Sequence, residues 1–200
     1  MYTFQASLPR AEAVFASTLE YTEERTGAPP NFKKGRVRCA RTKQMIIADL
    51  AHTEGRRYPA RRRTQNLAGG ASSIQARHFC IGNVTLEPNG GQVPWHNHEQ
   101  EEIYLIIEGA AEMCLGEERS TLSSGQAVYI PSWVYHQLTN LGSTPCRMLY
   151  CYGPAGDVAH WRQELDGTLP RAGIEAPPLP AGAHPQCTGK PTDKPAEKPQ

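Results

Sequence analysis

Four residues stand at spacings that could hold a metal ion: His96, His98, Glu102 and His136. Successive side chains of an extended strand point to opposite faces, so His96 and His98, two apart, share one side. Glu102 follows after a short stretch and can return to the same interior, and His136 comes from another strand-like segment downstream. Three imidazoles and a carboxylate without a thiolate make a hard-to-borderline donor set, suited to Fe(II), Mn(II), Ni(II), Co(II) or Zn(II). Four protein ligands leave one or two positions of a five- or six-coordinate ion for water, dioxygen or a chelating substrate. The histidines must be neutral and Glu102 ionised to bind, so affinity should fall as pH drops.

The residues around these four resemble the two motifs of the cupin superfamily. The first motif is a glycine, five residues, His-x-His, three or four residues, Glu, six residues and a glycine. Gly90, His96, His98, Glu102 and Gly109 fill every fixed position. A chance match is on the order of 10⁻⁷ per start position at ordinary residue frequencies. In the second motif Gly125, Pro131, His136 and Asn140 match, but Trp133 stands where the family has a glycine. The resemblance covers roughly residues 71–155. It implies an all-β, jelly-roll-like antiparallel β-barrel with the metal held by His96, His98, Glu102 and His136. It also makes an Fe(II)-dependent oxygenase (a dioxygenase) on a small organic substrate the favoured expectation. The alternatives are a non-redox sugar isomerase, epimerase or lyase, and a non-catalytic small-molecule-binding cupin. The barrel hosts all three.

Other residues near the motifs carry softer expectations. Tyr104 lies two after Glu102, so alternation points it inward, to orient substrate or donate a proton in catalysis or to form a pocket wall. Trp95, Trp133 and Tyr135 flank the ligands and are expected to line the pocket mouth, or else to pack between subunits. Arg77 and Arg147 lie on expected strands, and either one facing inward would select a carboxylate or phosphate. Gln92 and Asn140 are candidates for hydrogen bonds that orient the ligands. His78 and His160 read as surface or packing residues.

The elements that must position these side chains are short strands. β-rich runs recur at Ile74–Leu86, Glu102–Ile107, Ala110–Leu115, Ala127–Ile130, His136–Thr139 and Arg147–Tyr152, with Gly, Asn, Ser and Pro turns between them. No helical period interrupts them, so the central region reads as all-β. Upstream, Pro9 to Thr26 reads as a helix, followed by a basic arm with one apolar run, Met45–Leu50, readable as strand or helix. Asp157 to Leu165 reads as a short capping helix. Residues 177–200 hold seven prolines and three lysines with almost no large apolar side chains, a composition that reads as a flexible, disordered tail. The expected organisation is thus an N-terminal helix and basic arm at 1–70, a barrel at 71–155, a helix and loop at 156–176, and the tail.

Two hundred residues with a net charge of +1 suggest one domain with no strong field. The balance is deceptive. From Lys33 to Arg63 eleven basic residues face two acids, a local +9, and the rest of the chain carries −8. Such asymmetry can signal nucleic acid. No aromatic-interleaved motif or helix-turn-helix pattern accompanies the arginines, so an arm lying on an acidic body, its own or a neighbour's, is the expectation. That arm favours a homodimer weakened by salt or by charge reversal at Arg61, Arg62 and Arg63. The six cysteines form no C-x-x-C pair and read as reduced thiols. There is no long apolar span or signal-peptide pattern in the sequence, so a cytoplasmic chain, without membrane insertion and with a small-molecule substrate, is expected.

Overall fold

Strict alternation builds the central strands. In β10 (Cys146–Gly153) each of Cys146, Met148, Tyr150 and Tyr152 is buried and each residue between them is only half-buried. β5 (Glu101–Glu108) repeats the pattern with Glu102, Tyr104 and Ile106 facing in. A period of two places one side of each strand in the core and leaves the other to the surface. The computed structural model describes residues 45–185. The helix expected over Pro9 to Thr26 and the beginning of the basic arm lie outside them.

Around that pair the strands form two antiparallel sheets. β1 (Arg56–Tyr58), β2 (Arg62–Ala68), β3 (Cys80–Leu86), β10, β5 and β8 (Ala127–Ile130) follow one another across a six-stranded sheet. β4 (Gly91–His96), β9 (His136–Asn140), β6 (Ala110–Leu115) and β7 (Glu118–Ser123) make the second. Leu86, Ile106, Ile130, Leu138 and Met148, all fully buried, fill the space between the sheets. The all-β barrel stands. α1 (His160–Asp166) closes one end, with Val158 in the core and Trp161 packed on Tyr58, Tyr150 and Tyr152. Among the described residues no helix is long and apolar enough to cross a bilayer.

Three expectations change. The barrel begins before residue 71, because β1 and β2 come from the basic arm and pair onto β3. Charge does not prevent this, since Arg61, Arg62 and Arg63 find acceptors. Arg61 donates to the carbonyls of Pro88 and Asn89, Arg62 pairs with Glu164, and Arg63 donates to the carbonyls of Thr53 and Glu54. Second, Met45–Leu50 is neither strand nor helix; Asp49 folds the chain back by accepting from Ala51 N and bonding His52.

The third concerns the tail. Residues 177–185 are ordered on the outer face of the smaller sheet. Trp95 Nε1 donates to Pro177 O at 2.8 Å, Gln92 Nε2 to Pro185 O at 2.7 Å and Gln137 Nε2 to His184 O at 2.7 Å. Proline-rich composition forbids a core of its own but not docking by backbone carbonyls, which prolines retain. This strap explains why β4 and β9 are buried at every position. Residues 186–200 lie outside the described chain.

Candidate metal centre

The smaller sheet brings two of the histidines together. His96 ends β4, His136 begins β9, and they are direct cross-strand partners. His98 follows in the loop after β4, where Trp133 N donates to its carbonyl at 2.7 Å and ties the two motif loops together. One nitrogen from each of the three buried rings falls within 4.8 Å of the other two. Glu102 arrives from β5 of the opposite sheet, with Oε2 at 3.1 Å from His98 Nε2 and 3.5 Å from His136 Nε2. The cluster therefore lies between the sheets, with residues from both.

Backbone carbonyls orient all three rings. Nδ1 of His96 meets Pro94 O at 2.6 Å, that of His98 meets Gln100 O at 3.0 Å, and that of His136 meets Val134 O at 2.9 Å. A carbonyl only accepts, so each Nδ1 carries a hydrogen, and each ring in its neutral form would present a lone pair on Nε2. Nε2 of His96 and His136 are buried with no hydrogen-bond partner among the described residues. Burial, and then the neighbouring His160, His136 and His98, hold the His96 imidazole well below its ordinary value and so keep it neutral. Burial pushes the Glu102 carboxyl up, but the adjoining His136 and His98 outweigh it and hold it below its usual value. With the rings neutral and Nδ1 protonated, their Nε2 atoms and the Glu102 carboxylate become acceptors around one buried point. A divalent cation fits that set.

Beside the cluster is a cavity of about 20 Å³. Glu102, Tyr104, Tyr150, Tyr152, Arg62 and His160 contribute its polar wall, and Val84, Val93, Met148 and Val158 its apolar one. Tyr104 faces inward as alternation requires. Its hydroxyl is pushed well above its ordinary value by burial and then by the Glu102 charge, so it stays protonated. α1 forms the lid of this cavity. His160 stacks on His96 with ring centroids 3.7 Å apart, and Glu164 takes Arg62 Nη1 and, at 3.0 Å, the backbone N of Ala60.

The five expected pocket residues, and the two expected to orient the ligands, lie away from this cavity. Trp95, one before His96, points to the outer face and packs with Cys114, Tyr135 and Ala176 under the strap. Tyr135 stacks there too, 5.5 Å from Trp95. Trp133 is 61% exposed. Arg77 is exposed, and Arg147 turns outward to Glu108 at 3.5 Å. Gln92 faces the strap instead of the ligands. The Asn140 amide bonds the carbonyls of Leu86, Glu87 and Thr144, a turn anchor with no bond to a ligand.

Arg62 and His160 are the two site residues that sequence reasoning missed. His160 and Glu164 fall one turn apart in the expected capping helix, and so on one face, which was the available signal. Arg62 sits between two arginines, and only alternation on a strand separates its inward side chain from theirs.

The comparisons agree with this fold. The cupin domain family, Cupin_2, matches residues 82–152. An uncharacterized protein of Streptomyces coelicolor, SCO3923, is 32% identical over 83 residues, 40% of this chain and 75% of that protein. The chain belongs to the cupin superfamily. An uncharacterized protein of Methanocaldococcus jannaschii, MJ1618, is 37% identical over 70 residues, 34% of this chain; the match spans little more than half of that relative, 56%. The structure of KdgF from Halomonas sp. shares the fold at 18% identity and a TM-score of 0.50, over 57% of this chain and 97% of that one.

Proposed function

We propose that this cupin is a divalent-metal-dependent enzyme, with His96, His98, Glu102 and His136 as ligands and a small oxygen-donor substrate in the cavity under α1. The observation that carries the reading is the set of three histidine rings whose Nδ1 atoms are bound by backbone carbonyls, gathered with Glu102 beside a small cavity with polar and apolar walls. When bound, the ion supplies Lewis-acid polarisation of a substrate carbonyl or hydroxyl. The chain's own residues do the rest. Tyr104, held protonated, is placed to donate a proton but not to accept one at neutral pH. Tyr150 and Tyr152 are likewise pushed up by burial, beyond the range of phenolate chemistry. α1 and its Glu164 anchor keep water from the reacting groups. Tyr150 and Tyr152 donate their hydroxyls to Asn66 and to the Gly156 carbonyl, which leaves Tyr104 as the tyrosine beside Glu102. Polarisation of a substrate oxygen by the ion, assisted by that one donor, favours the non-redox isomerase or lyase class.

A second reading, the Fe(II)-dependent oxygenase, draws support from the apolar side of the cavity. Val84, Val93, Met148 and Val158 would keep a dioxygen-reactive site dry. The test is to load the protein separately with Mn(II), Zn(II) and Fe(II) and assay small hydroxy- and oxo-acids with and without O2. We expect turnover without O2 and with Mn(II) or Zn(II). Turnover only with iron, consuming O2 with product, would replace this reading by the second. Ligand binding that persists unchanged in His136→Ala, with no turnover in any arm, would identify a binding protein.

A further inference from the structure

We propose that the cavity between the histidine cluster and α1 receives a small monocarboxylate, and that Arg62 is the residue that selects it. The proposal rests on the metal reading above and names the substrate class for the same site. Arg62 is 2% exposed, its guanidinium lies 4.1 Å over the Tyr58 ring, and its Nη1 is taken by Glu164. Its Nη2 is buried and has no hydrogen-bond partner among the described residues. Thr64 Oγ1, on the same face of β2, and His160 Nδ1 are buried and unpartnered as well. All three residues line the one cavity. Buried donors left idle are costly, and a cluster of them at the wall of a cavity is satisfied by an acceptor that enters it. A planar carboxylate matches the guanidinium fork.

Charge fixes the sign and number. Arg62 is balanced by Glu164, and Glu102 is the one carboxylate on the cavity wall among the described residues. A divalent ion on the cluster therefore leaves one positive charge uncompensated, which a monoanion neutralises and a phosphate dianion overshoots. Size agrees. About 20 Å³ is little more than the roughly 10–15 Å³ that one water needs, so only the smallest carboxylates are candidates and a sugar phosphate is excluded unless α1 moves. Val84, Val93, Met148 and Val158 would meet a short apolar stem.

The experiment is calorimetric titration of the full chain, loaded with Mn(II) or Zn(II), with acetate, with its neutral isostere acetamide and with inorganic phosphate. Acetate should bind the loaded protein, and neither acetamide nor phosphate should bind comparably or displace it. Arg62→Lys, which keeps a cation for Glu164 but loses the fork, should weaken acetate about tenfold or more with metal affinity unchanged. Thr64→Val, nearly isosteric, should weaken it several-fold, and it serves if the lysine variant does not fold by circular dichroism. Equal acetate affinity in wild type and in the folded variants, or equal binding of acetamide, would overturn the proposal. So would a loaded protein that binds no acetate, which would mean that the cavity holds water only. A chain that takes up no divalent ion would overturn the metal reading itself, and this proposal with it.

Discussion

At the scale of residues, the backbone-oriented imidazoles have a consequence for acid stability. His96 and His160 are buried, and that burial, first among the causes, holds both well below the ordinary value of 6.5. Below that pH the unfolded chain binds protons that the native chain refuses, so stability must fall as pH drops. The folding equilibrium should lose about tenfold per pH unit for each such histidine until its folded-state value is reached. Glu102, held below 4.5, acts in the same direction: its contribution is present above that pH and lost as pH falls through its lowered value. Urea titrations from pH 7.5 to 5 should show the midpoint falling, and a flat profile would mean that the histidines are solvated. Trp133 gives a second prediction. It is the third residue of a turn closed by Val134 N to Pro131 O, with φ of 64°, a type II position that favours glycine. Its indole is mostly exposed, so Trp133→Gly should stabilise the protein by about 1 kcal/mol, the lower end of the cost of a left-handed conformation, read as a shift in denaturant midpoint. The convergence of His96, His98 and His136 with Glu102 was legible because alternation and motif spacing point to it. Trp95 and Gln92 were misread because the strap that covers the outer face of β4 cannot be foreseen from β4 itself.

At the scale of elements, α1 is held to the barrel by one buried ion pair. Glu164 bonds Arg62 and the Ala60 backbone with both side chains almost wholly inaccessible. Breaking such a pair from one side leaves an uncompensated buried charge. Glu164→Ala should therefore cost about 3–5 kcal/mol. Hydrogen exchange should then speed up first in α1 and around β2, with the far side of the barrel less affected; uniform acceleration would show that α1 is not a separable lid. Strands with one buried face were legible, and β8 falls at the residues its β-rich run indicates. β7, exposed along nearly its whole length, has no apolar alternation to reveal it. β1 and β2 were hidden by their arginines, since net charge says nothing about which guanidinium turns inward.

At the scale of the molecule, the near-neutral total conceals an internal pairing. Arg57 and Arg61 approach Glu87 at 3.6 and 3.5 Å, and Arg62 meets Glu164 inside the barrel. Part of the basic segment is thus neutralised by the body it belongs to. Homodimerisation through the arm remains a proposal. Charge reversal at Arg62 cannot test it, because the change would strike the barrel interior; Arg61 and Arg63 are the usable positions. The central claim is simpler: the convergence of His96, His98, Glu102 and His136 exists to hold a divalent ion. Elemental analysis of the purified protein, paired with metal titration of wild type and His136→Ala, tests it most directly. The account predicts about one divalent ion per chain, bound with proton release and lost in the variant while the fold persists. A wild-type chain that binds no divalent ion at neutral pH, or binds it as tightly without His136, would contradict it.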